Sequence, residues 1–149
     1  LETAACIDRY HAALFRTVLT GAVEPRIPDM YAVCREALEA VMAFMRPGVT
    51  CAAVHQVAQD IIDRAGHTAG YRKRTGYSIG LSFAPDWGEG NILSLYRGVE
   101  VPLEPGMVFH VPITLRDYAR FTVAVSETLV VTETGCRPMS RLPRDLIRR

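Results

Sequence analysis

Residues 107–133 read MVFHVPITLRDYARFTVAVSETLVVTE. Val, Ile, Thr and aromatic residues dominate this stretch, and the pattern predicts one strand from Met107 to Leu115 and a longer one from Tyr118 to Glu133. In the second, Phe121, Val123, Val125, Leu129 and Val131 are apolar while the even positions are mostly Thr, Ser and Ala, so a period of two turns the odd face inward. Working back along the chain, Met30, Cys34, Leu38, Val41, Met42 and Met45 fall at helical spacing between Pro28 and Arg46, with Pro28 set for a first turn and Pro47-Gly48 as a stop. Thr50 caps a second helix, whose Val54, Val57, Ala58, Ile61 and Ile62 form one stripe before Gly66. Leu1 to Gly21 reads as two further strands broken by Asp8-Arg9. Strands on both sides of two amphipathic helices predict an α+β fold, helices packed on one face of a curved antiparallel sheet.

The chain has 149 residues, 49% of them apolar and 22% charged, with a net charge of +1. That length suits one domain over residues 1–149, burying roughly two-thirds of its unfolded surface. The charge balance argues against disorder and against nucleic acid as a partner. No apolar run approaches the ~18 residues of a membrane span. Cys6, Cys34, Cys51 and Cys136 lack zinc spacing and read as reduced, packed thiols. With no charged leader ahead of an apolar core, the expectation is a cytoplasmic protein. A chain that starts at Leu1 on a strand pattern is expected to be the later part of a longer polypeptide. Five arginines after Gly135, interrupted by Pro138 and Pro143, read as a solvated tail.

Some residues break the pattern of their own segment. Glu127 falls on the inward face of the last strand, where a carboxylate costs several kcal/mol unless it is paired or does chemistry. Its plain alternative is a buried ion pair to Arg16 or Arg120. His110 shares a face with Val108 and Pro112, as a site histidine or as a core imidazole bonded to a carbonyl. Asp86, Trp87 and Glu89, in the glycine-punctuated segment after Gly70, place an aromatic ring between two carboxylates, a setting for a small cation. Arg74, in the run Arg72-Lys73-Arg74, is positioned to meet a substrate carboxylate.

Four short elements in order resemble the pita-bread family, which includes methionine aminopeptidases, proline dipeptidases and creatinase. They are Arg46-Pro47-Gly48-Val49-Thr50, Gly76-Tyr77-Ser78-Ile79-Gly80, Pro105-Gly106-Met107-Val108-Phe109 and Ser126-Glu127-Thr128. The family's metallopeptidases hold two metal ions through two aspartates, a histidine and two glutamates. On this resemblance those positions fall at Glu2, Ala13, Tyr77, Pro112 and Glu127, and a further substrate histidine falls at Ala84. Two carboxylates without an imidazole do not make a dinuclear site, so the expectation is no metal and no cofactor. Creatinase's own pattern is also missing, with Phe15 at one of its glutamate positions.

A closer likeness is to the ectoine hydrolase branch, through Arg9-Tyr10-His11, Arg16-Thr17, Pro85-Asp86-Trp87-Gly88-Glu89 and Phe109-His110. The resemblance implies metal-independent hydrolysis of a C–N bond in a small cyclic amidine. Glu2 then attacks the amidine carbon or activates water, Glu127 passes a proton to the ring nitrogen and Tyr77 orients the substrate. His110, Arg74, Trp87, Asp86, Glu89 and His11 bind it. The expected partner is a small-molecule substrate, in a full-length protein that pairs as a homodimer. The alternatives are a metal-dependent aminopeptidase or Xaa-Pro dipeptidase, and an inactive peptide-binding domain.

Overall fold

Pro28 lies within the first turn of its helix. The computed structural model describes residues 1–71, 74–83, 86 and 91–149, and α1 spans Arg26–Phe44. N–H groups in a first turn have no intrahelical acceptor, so a proline there removes no bond and the helix begins ahead of it. At the other end Met45 is already extended, with ψ 120°. Pro47 supplies no donor to a further turn and biases Arg46 away from helix, which ends α1 short of the predicted Arg46. The second helix, α2, spans Cys51–Arg64; Thr50 caps it by accepting the Ala53 N–H at 3.1 Å. Gly66, at φ +76°, takes the left-handed conformation that closes it.

The predicted strand pair at the start is β1 (Glu2–Ile7) and β2 (Tyr10–Phe15), antiparallel. Asp8 and Arg9 between them have φ 49° and 69°, the positive pair of a two-residue hairpin turn. After β3 (Val18–Leu19) and the helices come β4 (Gly76–Ser78), β5 (Ser94–Leu95), β6 (Val108–Asp117), β7 (Phe121–Val131), β8 (Cys136–Pro138) and β9 (Ile147–Arg148). The main sheet has the order β5-β4-β6-β7-β8, antiparallel throughout. Phe109, Val111, Ile113 and Leu115 of β6 and Val123, Val125 and Leu129 of β7 meet Cys34, Leu38, Val41 and Val54 of the helices in one core. Burying each large side chain there contributes roughly 1.5–3 kcal/mol.

The boundaries predicted for the long hairpin also move. Tyr118 is not in a strand: β6 runs on to Asp117, and residues 118–120 form the hairpin turn, closed by Arg120 N–H to Asp117 O at 3.0 Å. Ala119 sits there at φ +63°, exposed. An L side chain in that region costs about 1–2 kcal/mol, part of which glycine returns as unfolded-state entropy. Ala119→Gly is therefore expected to raise the unfolding free energy by up to about 1 kcal/mol in a urea titration.

The arginine-rich end is not a solvated tail. Its β9 pairs in parallel with β3, Arg35 holds Asp145 at 2.7 Å, and the Tyr31 hydroxyl donates to Arg144 O at 3.0 Å. Leu146 packs against the core, which gives this basic segment a reason to fold back. All four cysteines are free thiols, but Cys6 is exposed on β1 and not packed as expected. Burial pushes Cys34 up to about 12 and Cys51 up to about 11, so both stay protonated and packed. No helix among the described residues is long and apolar enough to cross a membrane.

Candidate functional site

Val111 stands opposite Glu127, and Pro112 opposite Ser126. Partners in an antiparallel pair share a face, and neighbours along a strand take opposite faces. Glu127 therefore lies with Val111, Val125 and Leu129 on the helix side, whereas His110, Pro112, Thr114 and Arg116 share the other side with Ser126. The two anomalies of the sequence, Glu127 and His110, point away from each other across the sheet.

Glu127 is fully buried, and its Oε1 lies 2.6 Å from Nη2 of Arg16, itself 6% exposed. Arg144 approaches the same oxygen at 3.5 Å. Arg16 uses its whole fork: Nε donates to Pro143 O, Nη1 to Phe15 O and Ser126 O, and Nη2 to Leu142 O as well as to Glu127. This ion pair staples β2, β7 and the C-terminal segment together. It is the alternative foreseen with Arg16, and it corrects the placement of Glu127 in a substrate pocket: neither cavity wall among the described residues includes that side chain.

On the opposite face a cavity of about 530 Å³ opens where β4 ends. Strand β4 pairs with β6 at Phe109 and His110, and the chain meets that edge of β6 again where Gly70 packs against the Arg116 backbone. Pro112, which has no N–H to offer a neighbour, sits at this edge. Pro112, Thr114 and Arg116 form one wall of the cavity, and Phe15, Tyr71, Arg74, Tyr77, Ser94 and Tyr96 form the rest. Gly76 is needed here, since a Cβ on it would lie 2.7 Å from His110 O.

Behind this wall runs a buried relay. His110 Nδ1 lies 2.7 Å from the Tyr77 hydroxyl, and its Nε2 lies 2.8 Å from Ser126 Oγ. Ser126 Oγ also accepts the Phe15 N–H at 2.6 Å. Ser126 is fully buried, so its own proton needs an acceptor, and the unprotonated Nε2 is the one within reach. That choice puts the imidazole proton on Nδ1, donating to Tyr77, and turns the Tyr77 O–H away from the ring. Burial lowers the His110 pKa to about 3, so the ring is neutral at neutral pH. This corrects His110 as a partner for a substrate carboxylate: it carries no charge, and it orients Tyr77 instead.

The same burial makes a pH prediction. Unfolded, the imidazole takes a proton near pH 6.5; folded, it does so only near pH 3. Between those values the unfolded chain binds the proton that the fold refuses, so stability falls as pH falls, by up to about 1.4 kcal/mol per pH unit. In urea titrations across that window, His110→Gln is expected to show a shallower acid loss than the native chain.

The other expected site residues scatter. Tyr77 and Arg74 line the cavity, the Arg74 guanidinium carbon standing 4.8 Å from the Tyr77 ring centre. Glu2 is exposed on β1 opposite the cavity-lining Phe15, beside the cavity but outside its wall. His11 is held in its hairpin, Nδ1 2.9 Å from Arg9 O, and lines neither cavity. Asp86 caps a local turn, its carbonyl accepting the Ser82 hydroxyl at 2.8 Å, and it is absent from the cavity wall. Trp87, Glu89 and Ala84 lie outside the described residues. Ser126 and Arg116 were missed. Continuing the period-two count from His110 and Pro112 reaches Arg116, but Ser126 needs the β6/β7 register.

The positions that the resemblance assigned to metal ligands do not fit a divalent ion. Glu2 stands on an exposed strand, Ala13 offers a methyl group, Tyr77 is bonded to His110 and Pro112 has no donor. Glu127 is turned to the other face and ion-paired. Among the described residues no group of three or more His, Cys, Asp or Glu side chains comes together.

Residues 1–133 match the sequence family described as metallopeptidase family M24. The chain is 33% identical over 147 residues to ectoine hydrolase of Halomonas elongata, covering 97% of this chain and 36% of that protein. It is 31% identical over 141 residues to the Xaa-Pro dipeptidase of Lactobacillus helveticus, covering 93% and 36%. The crystal structure of a dipeptidase from Pyrococcus horikoshii OT3 superposes with a TM-score of 0.91 at 26% identity, over 100% of this chain and 40% of that one. The chain thus spans little more than a third of the length of these curated relatives. Its helices and antiparallel sheets are those of the pita-bread fold, and on a match that runs through nearly all of its residues the chain belongs to the metallopeptidase family M24.

Proposed function

We propose that this chain carries part of the active site of a hydrolase that opens a C–N bond in a small cyclic amidine, as an ectoine hydrolase does, without a metal ion. The observation that carries the reading is the cavity itself: a neutral histidine and a serine hold a tyrosine hydroxyl at its wall, in place of a metal-ligand set. Water adds its oxygen to the amidine carbon and the ring C–N bond breaks. Both water protons end on the departing nitrogen, which leaves as an ammonium, and the carbon is left as an amide. Glu2 takes the first proton and returns it to that nitrogen, and Tyr77 donates a hydrogen bond to the reacting ring. The full-length protein acts as a homodimer in this proposal.

One observation favours a second reading, a binding domain without catalysis: no carboxylate lines the cavity among the described residues. The test uses the complete natural polypeptide that carries this sequence, incubated with ectoine and, separately, with Xaa-Pro dipeptides. Product is followed by NMR in the presence and absence of EDTA. Ring opening that EDTA leaves untouched, and that drops about a hundredfold in Glu2→Gln, is the expected result. Dipeptide cleavage that EDTA abolishes would assign the protein to the metal-dependent peptidases. Ectoine binding without turnover would favour the binding domain.

A further inference from the structure

The cavity's charge is one-sided. Two of its lining residues, Arg74 and Arg116, are cationic, and no acidic side chain lines it among the described residues. The acid nearest in sequence to its wall, Asp117, is held by Arg26 at 2.6 Å, and Glu127 is on the other face, neutralised by Arg16. Arg116 is half-buried on β6 and makes no side-chain hydrogen bond or ion pair among the described residues, an unusual state for a guanidinium partly withdrawn from water. Arg74 lies over the Tyr77 ring and reaches Ser94 Oγ at 3.5 Å.

Much of the remaining wall is aromatic, and the hydroxyls of Tyr71 and Tyr96 are engaged by protein groups. Tyr71 OH lies 2.7 Å from Thr75 Oγ1, which in turn lies 2.8 Å from His55 Nδ1. Tyr96 OH accepts from Arg97 at 2.8 Å. Both tyrosines therefore offer ring surface to a ligand. Phe15 adds a third ring, held edge-on against His110 with 5.0 Å between centres.

We infer that the cavity receives a small monocarboxylate with a planar or ring-shaped body, its anionic end at Arg74 and Arg116 and its body on the aromatic wall. A guanidinium fork matches a carboxylate's two oxygens, and partial exclusion of water strengthens that pairing. The inference adds Arg116 to Arg74, the residue expected to meet a substrate carboxylate. It rests on the cavity being the substrate site of the proposed hydrolase, and it makes the substrate's carboxylate, rather than its amidinium, the group that this chain's described residues recognise.

Benzoate and benzamidine test it, being planar and alike in size but opposite in charge. Calorimetric titration of the complete natural polypeptide is expected to show benzoate binding at least about tenfold tighter than benzamidine. Arg116→Gln is expected to weaken benzoate about tenfold, and Arg74→Gln likewise, with melting temperatures close to native. Benzamidine binding as tightly as benzoate, no benzoate binding, or a benzoate affinity unmoved in both variants would overturn the inference. The comparison in the native chain needs no variant to fold. Benzoate binding without hydrolysis of ectoine would sink the proposed reaction and leave this inference standing. Ectoine hydrolysis with an unchanged KM in Arg116→Gln would do the reverse.

Discussion

Arg16→Met is expected to destabilise the fold by about 3–5 kcal/mol, because it leaves the buried Glu127 carboxylate without its partner. The loss extends beyond the ion pair, since Arg16 also satisfies the carbonyls of Phe15, Ser126, Leu142 and Pro143. Arg144, at 3.5 Å and already short of a partner at Nε, is placed to recover only part of it. At this chain length the shift in melting temperature is roughly 10 °C. Glu127→Gln is expected to lower the melting temperature as well while leaving kcat per folded molecule unchanged. The pair of variants separates a staple from a catalytic acid: a fall in kcat with the melting temperature intact would return Glu127 to the chemistry. The double variant Arg16→Met with Glu127→Leu is expected to be more stable than Arg16→Met alone, because no unpaired charge stays buried.

The second large effect falls on the opposite face. Tyr77→Phe is expected to lower kcat for the proposed ring opening by about a hundredfold, the usual loss when one pre-aimed donor is removed. His110 holds the tyrosine oxygen at 2.7 Å and is itself fixed by Ser126, so the hydroxyl meets the reacting atom without reorganising. The variant also strands the His110 Nδ1–H, which costs about 1–2 kcal/mol of stability. Kinetics measured well below the melting transition keep the two losses apart. A Tyr77→Phe enzyme with native kcat would show that the relay is structural.

Much of the architecture was readable because it depends on local periodicity. The stripe from Met30 to Val41, the Thr50 cap, the Asp8-Arg9 turn and the inward odd face of β7 each follow from spacing within one segment. The helix ends shifted by about two residues because proline tolerance at a first turn and its effect on preceding residues are graded, not absolute. The basic tail was misread because its docking depends on partners far away in sequence, Val18, Tyr31 and Arg35. Of the expected site residues, Tyr77 and Arg74 line the cavity. His110 was singled out for the right reason, a polar ring amid apolar neighbours, but charge could not be assigned without its burial. Ser126 carried no signal, since a serine on a strand's even face looks like any solvent-facing residue.

The sequence by itself determined two amphipathic helices, a strand pair before them, a long hairpin after them and the oddity of Glu127 and His110. Only the tertiary structure decided that these two residues serve opposite faces. Alternation tells which residues of one strand share a side, but the relation between two strands is set by their register, here Val111 against Glu127. A slip of one residue in that pairing would have put the acid in the cavity and the serine against the arginine.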